Sequence, residues 1–206
     1  MPQFLSAAAK SALTKAIKTI ESESAAEVVI AVRPRSGSYL HVDLAMAMGI
    51  GVATLAFLLY CPWPIAWHYL LGLPMLAGTL AALLSFRFAF IRRSLSKRST
   101  MAANIDLAAK SVFVEQGVHH TRDRTGLLIY VSLLERSCSL VADSAAELAI
   151  PPHALEQFAQ ELTNALQQPS QAAELATIIE AMAGTFSEHL PAGLDDINEL
   201  PDGVVS

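Results

Sequence analysis

The chain reads as an α/β protein: a small central sheet with helices on both faces, interrupted by a two-helix transmembrane hairpin. Three observations predict this. First, Leu44 to Phe86 contains no Asp, Glu, Lys or Arg across 43 residues, in a chain of 206 that is 16% charged overall. Second, β-rich apolar runs stand on both sides of that stretch, at Glu27–Val32 and Leu127–Leu134. Third, the remaining segments carry apolar residues at helical spacing.

Residues 2–23 place Leu5, Ala9, Leu13, Ala16, Ile17 and Ile20 on one stripe, with lysines and serines elsewhere. The stripe is narrow and partly alanine, which suits packing on a sheet better than lying on a membrane. Lys10, Lys15 and Lys18 rule out a signal peptide here. Glu27–Val32 (EVVIAV) is a short β-branched strand ended by Pro34, Ser36 and Gly37.

The uncharged stretch is long enough for two crossings, since each needs about 20 apolar residues. The spans fall at about 44–60 and 65–86. Cys61-Pro62-Trp63-Pro64 forms a tight turn that no continuous helix would accommodate. Tyr60, Trp63, Trp67 and Tyr69 gather there as an interfacial belt would. Small residues repeat every fourth position, at Ala45, Gly49 and Ala53 in the first span and at Gly78 and Ala82 in the second. They predict close helix contact within the hairpin, with a homodimer through Ala45, Gly49 and Ala53 as the sharper alternative.

Residues 98–116 form the next helix, with Met101, Ile105, Ala108, Val112 and Phe113 apolar and Gly117 as its C′ residue. Leu127–Leu134 is apolar on both faces, so helices must cover each side. Ile129 and Val131 are expected within it on opposite faces. Cys138–Val141 is a second, paired strand. Pro151 and Pro152 open a helix reaching Gln167. A last helix covers Ser170–His189, with Leu175, Ile178, Ile179, Met182 and Phe186 as its stripe. The organisation is therefore a discontinuous domain, 1–41 with 98–190, a hairpin with its basic flank at 42–93, and a flexible acidic tail at 191–206.

Charge is segregated. Up to Arg136 there are 14 basic and 8 acidic residues; after it there are 11 acidic and no basic ones. Arg33 and Arg35 precede the hairpin, and Arg87, Arg92, Arg93, Lys97 and Arg98 follow it. The positive-inside rule then places both termini in the cytoplasm and the turn Cys61–Pro64 outside. The same basic residues attract anionic headgroups. The lipid bilayer is thus one expected partner, and the topology accounts for the basic residues without nucleic acid. Two cysteines, Cys61 and Cys138, give no disulfide framework.

The densest polar segment is Gly117–Gly126 (GVHHTRDRTG). His119 and His120 are adjacent and cannot share a face, so no metal pair is expected. Gly49-Ile50-Gly51 lies inside a span and is not a dinucleotide fingerprint. No cofactor motif is present. Arg122 and Arg124 with Asp123 and Asp143 could supply the cations and carboxylates of a phosphoryl site near a strand end. Glu135 and Arg136 lie about 25 Å away at strand rise and are excluded from it. If the strand pair is antiparallel, Asp143, reached after the return strand, should lie nearer the Arg122–Arg124 end.

Glu27–Val32, Gly117–Arg122, Arg124–Ile129, Val131–Arg136, Ala142-Asp143 and Asp195–Asp202 together resemble the TPM domain family. The resemblance is strongest to its bacterial membrane-protein branch, in which a two-span hairpin interrupts the domain. It implies a central sheet with helices on both faces, anchored in the bacterial plasma (inner) membrane. It also implies a module that assists a membrane complex through a membrane-protein partner, with phosphomonoesterase activity of the acid-phosphatase type as the alternative. Relatives place the domain outside the cytoplasm, whereas charge here places it inside. Ser144-Ala145-Ala146-Glu147 stands where many relatives have a glycine-containing turn.

Overall fold

β1 (Glu27–Arg33) lies between two parallel neighbours, β2 (Gly126–Ser132) and the two-residue β4 (Val204–Val205), and β3 (Ser137–Ala142) runs antiparallel on the outer side of β2. The computed structural model describes residues 7–168, 171–192 and 204–205. The chain divides into two compact units, Met1–Ser36 with Ala102–Ser206, and Gly37–Met101.

In the first unit both central strands are buried on each face, as their uninterrupted apolar sequence requires. Val28, Ile30, Val32, Leu127, Ile129 and Val131 point to one side. There they meet α1 (Ala7–Glu23), α7 (Pro152–Ala165) and α8 (Gln171–His189) through Leu13, Ile17, Ile20, Leu162, Ile179, Met182 and Phe186. Val29, Ala31, Leu128 and Tyr130 point to the other side, onto Ile105, Ala109 and Val112 of α5 (Arg98–Glu115). Helices thus cover both faces. Ile129 and Val131, expected on opposite faces, share one: residues two apart on a strand point the same way.

The strand expected to reach Leu134 stops at Ser132, and Leu133–Arg136 makes the turn into β3. The reason is a change of partner. Leu133 N–H donates to the Arg33 carbonyl and Leu134 N–H to the Pro34 carbonyl, each at 3.0 Å, so both leucines follow the exit of β1. Arg136 closes the turn with φ of 51°. A six-residue helix not anticipated from sequence, α6 (Ser144–Ala149), follows β3. Of the tail, Pro191 bridges to Ser24 and Val204–Val205 forms β4; residues 193–203 and 206 lie outside the described residues, as does Leu5 of the first stripe.

The second unit holds α2 (Leu40–Tyr60), α3 (Trp67–Arg87) and α4 (Ala89–Leu95). The first two are long and apolar enough to cross a membrane, and most of their large apolar side chains are exposed. They approach closely where Gly78 faces Ala47: a Cβ at Gly78 would lie 2.7 Å from the Ala47 carbonyl oxygen. Gly51 meets Pro74 in the same way. The contact therefore uses Ala47 and Gly51 of α2. Ala45, Gly49 and Ala53, read as the face packed within the hairpin, are exposed instead, because they sit on a different side of the helix.

Candidate functional site

Polar groups collect at both ends of β2. At its start, Gly117 takes the left-handed conformation (φ 67°) that ends α5, and a 3-10 turn, Val118–His120, leads into the loop. Gly126 is pressed onto the Val118 carbonyl, which leaves no room for a side chain. Between them Arg124 adopts a left-handed φ of 58°. Its carbonyl accepts from Ala145 N–H at 3.1 Å and Ala146 N–H at 3.4 Å, and its Nη1 donates to the His119 carbonyl at 2.9 Å. These bonds hold a conformation that costs a non-glycine residue about 1–2 kcal/mol.

Asp143 returns to this end because β3 pairs Ala142 with Leu127, and its N–H donates to the Gly126 carbonyl at 2.8 Å. Its carboxylate is buried. Oδ1 accepts from Ser144 N–H at 2.7 Å, and Oδ2 lies 3.5 Å from Arg124 Nη1 without a hydrogen bond. Thr121 Oγ1, in the same loop, is also buried without a partner. Of the four sequence candidates, Arg124 and Asp143 come together. Arg122 and Asp123 are exposed in the loop, and Asp123 makes no ion pair among the described residues. Ser144-Ala145-Ala146-Glu147 forms the opening of α6, with Asp143 as its N-cap.

The other end of β2 carries a network that the sequence reading passed over. Glu135 is buried; its Oε1 accepts from Ser36 N–H at 3.0 Å and its Oε2 from Ser132 Oγ. Ser36 Oγ lies 3.1 Å from the Tyr130 hydroxyl, whose pKa burial pushes above 10. These groups stand at the carboxyl ends of the two parallel strands, where ligands of α/β sheets commonly bind. Here the same positions are spent on one another. The only signal in sequence is a carboxylate closing an apolar strand, and it does not disclose the distant Ser36.

A groove of about 530 Å³ between α7 and α8, lined by Glu161, Asn164, Gln168 and Thr177 among others, shares no residue with either polar end.

Together these features define a class: a small α/β domain with a two-helix apolar hairpin inserted between its central strands. Among solved structures the chain is similar to the NMR structure of BA42 protein from the psychrophilic bacteria Bizionia argentinensis sp. nov., at 15% identity, over 98% of this chain and 94% of that one, with a TM-score of 0.59. At that identity the likeness concerns the fold alone. No protein-family profile and no characterised sequence matches the chain.

Proposed function

We propose that this chain is a membrane-anchored TPM domain of the bacterial branch, acting as an interaction or assembly-assisting module for a complex in the plasma (inner) membrane. The observation that carries this reading is the insertion of α2 and α3 between β1 and α5. A domain interrupted in this way is attached to its anchor by two connections, not by one flexible tether. Large apolar side chains outside the hairpin also stand exposed, Leu107 and Val114 on α5 and Leu148 (88% exposed) on α6. In this reading they are where the protein partner would make contact. In this reading both termini are cytoplasmic and the turn Cys61–Pro64 is outside, as the basic flanks favour. A photo-crosslinking residue placed at Leu107 or Leu148 of the full chain in its own membranes should give a discrete adduct with another membrane protein. The same probe at exposed Glu156 should not. Adducts at none of these positions, or equally at all, would reject the reading.

One observation favours a second reading, a phosphomonoesterase at the membrane surface. It is the buried Asp143 Oδ2 that lacks a hydrogen bond beside the Arg124 guanidinium. In that reading Arg122 and Arg124 hold the phosphoryl group, and Asp123 and Asp143 supply carboxylates. Turnover of p-nitrophenyl phosphate by the full chain in detergent, lost in Asp143→Asn and kept in Glu147→Gln, would support it; absence of turnover would reject it.

A further inference from the structure

The chain leaves α3 at Arg87, passes through extended backbone at Phe88, and turns again as α4. At about 100° per residue, Phe90, Ile91 and Leu95 lie on one side of α4 and Arg92 and Arg93 on the other. Arg92 is buried and committed to Asp43: Nε donates to Oδ1 at 3.0 Å and Nη2 to Oδ2 at 2.5 Å. Ser85 Oγ donates to the same carboxylate at 2.7 Å. Asp43 belongs to the first turn of α2 and Ser85 to the end of α3, so one carboxylate ties three helices together. A two-point Arg–carboxylate contact fixes orientation as well as distance. The Arg92 guanidinium also lies over the Phe86 ring, 4.7 Å from its centre.

This clamp decides what α4 presents. Phe90 and Leu95 of α4, with Phe86 and Phe88 just before it, are left more than half exposed, and Arg87, Lys97 and Arg98, which flank the helix in sequence, are exposed as well. No carboxylate pairs with those three cations among the described residues. From Leu44 to Ile105 there is no Asp or Glu at all, while five basic residues fall between Arg87 and Arg98. Asp43 pairs with Arg92.

We infer that α4 is an interfacial foot whose surface takes the headgroup of an acidic phospholipid. The aromatic and leucine side chains enter the boundary between headgroups and acyl chains, and Arg87, Lys97 and Arg98 face the phosphate. Two facts select a lipid as the occupant: the foot directly follows an apolar helix of 21 residues, and Arg87, Lys97 and Arg98 have no carboxylate partner among the described residues. The inference rests on α2 and α3 being membrane spans.

The test uses the full chain extracted in mild detergent with an equal mixture of phosphatidylglycerol and phosphatidylcholine, and native mass spectrometry of the lipid it retains. Wild type should retain phosphatidylglycerol over phosphatidylcholine by at least about fivefold, the ratio expected from a single basic residue near a membrane surface. Arg87→Gln/Lys97→Gln/Arg98→Gln should bring the ratio close to one. Equal retention of the two lipids by wild type, or an unchanged ratio in the triple variant, would overturn the inference. A carbonate wash of native membranes separates the two levels. Wild type that stays in the membrane yet shows no headgroup preference overturns only the foot; wild type that is washed off overturns the span reading and the foot with it.

Discussion

Ser36 and Glu135 stand 99 positions apart in sequence, and the backbone N–H of the first donates to the carboxylate of the second at 3.0 Å. Ser36 is the last residue of the α/β unit before the chain departs into the hairpin. Glu135→Ala would strand the Ser36 N–H and the buried Ser132 hydroxyl, at a cost of about 1–3 kcal/mol. Glu135→Gln keeps an acceptor and should lose less. Thermal unfolding of both variants in the same detergent checks the order; equal loss would mean that the side chain acts by volume alone.

Two glycines should respond oppositely to alanine. At Gly126 the new methyl group meets the Val118 carbonyl, so Gly126→Ala should destabilise the domain by about 1–3 kcal/mol. Gly184 lies within α8, is exposed and has nothing within 4 Å of an added Cβ. Gly184→Ala should stabilise by about 0.5–1 kcal/mol through helix propensity. Denaturant midpoints moving in the same direction would contradict the packing described for Gly126.

Ile129 is fully buried in the larger core layer. Ile129→Ala should cost about 2–5 kcal/mol, and Ile129→Asp should prevent folding because it buries an unpaired charge. Wild-type abundance and melting of the aspartate variant would refute the placement of β2.

Burial pushes the Cys138 thiol up from its ordinary 9.0 to about 12. The folded state then holds its proton where the unfolded chain releases it. Cys138 therefore stabilises fully below about pH 9, and that contribution declines as pH rises toward 12. Two outcomes are expected. Iodoacetamide at pH 8 should modify Cys61 and spare Cys138 until the protein unfolds, as mass mapping would report. In addition, the fall in stability between pH 9 and 10.5 should be shallower in Cys138→Ala than in wild type.

Orientation is checked by fusing at Ser206 a reporter enzyme that is active only outside the cytoplasm. No activity is expected there, and high activity is expected when the same reporter interrupts the turn at Trp63. The reverse pattern would place the acidic C-terminal part outside.

Helices with a clear apolar stripe were legible in the sequence, and α1 and α8 bury most of the side chains that the spacing selects. The two central strands were legible too, since an apolar run rich in β-branched residues has few other uses. What lay hidden depends on distant partners. Leu133 and Leu134 are apolar enough for a strand, but their hydrogen bonds go to Arg33 and Pro34. α4 was read as a basic flank because nothing local says that Arg92 folds back onto Asp43, 49 residues earlier. α6 is too short for periodicity to appear, and its start is set by the Asp143 cap. The meeting of Arg124 and Asp143 followed from an antiparallel return strand, which could be anticipated. The Glu135 network could not, because Ser36 lies on the far side of the hairpin.

The parallel pairing of β1 with β2 also acts as a parity rule. These strands join residue for residue from Glu27 opposite Gly126 to Arg33 opposite Ser132. They can do so only if they emerge on the same side of any barrier the intervening chain has crossed. For helices that span a bilayer, this permits two crossings and forbids one or three. An insertion error that leaves α2 or α3 behind would do more than invert a terminus: it would separate the two halves of the sheet, and neither half could bury its apolar strand alone. A mis-threaded copy would leave β1 without the partner it has in β2, and β2 would keep only its antiparallel neighbour β3.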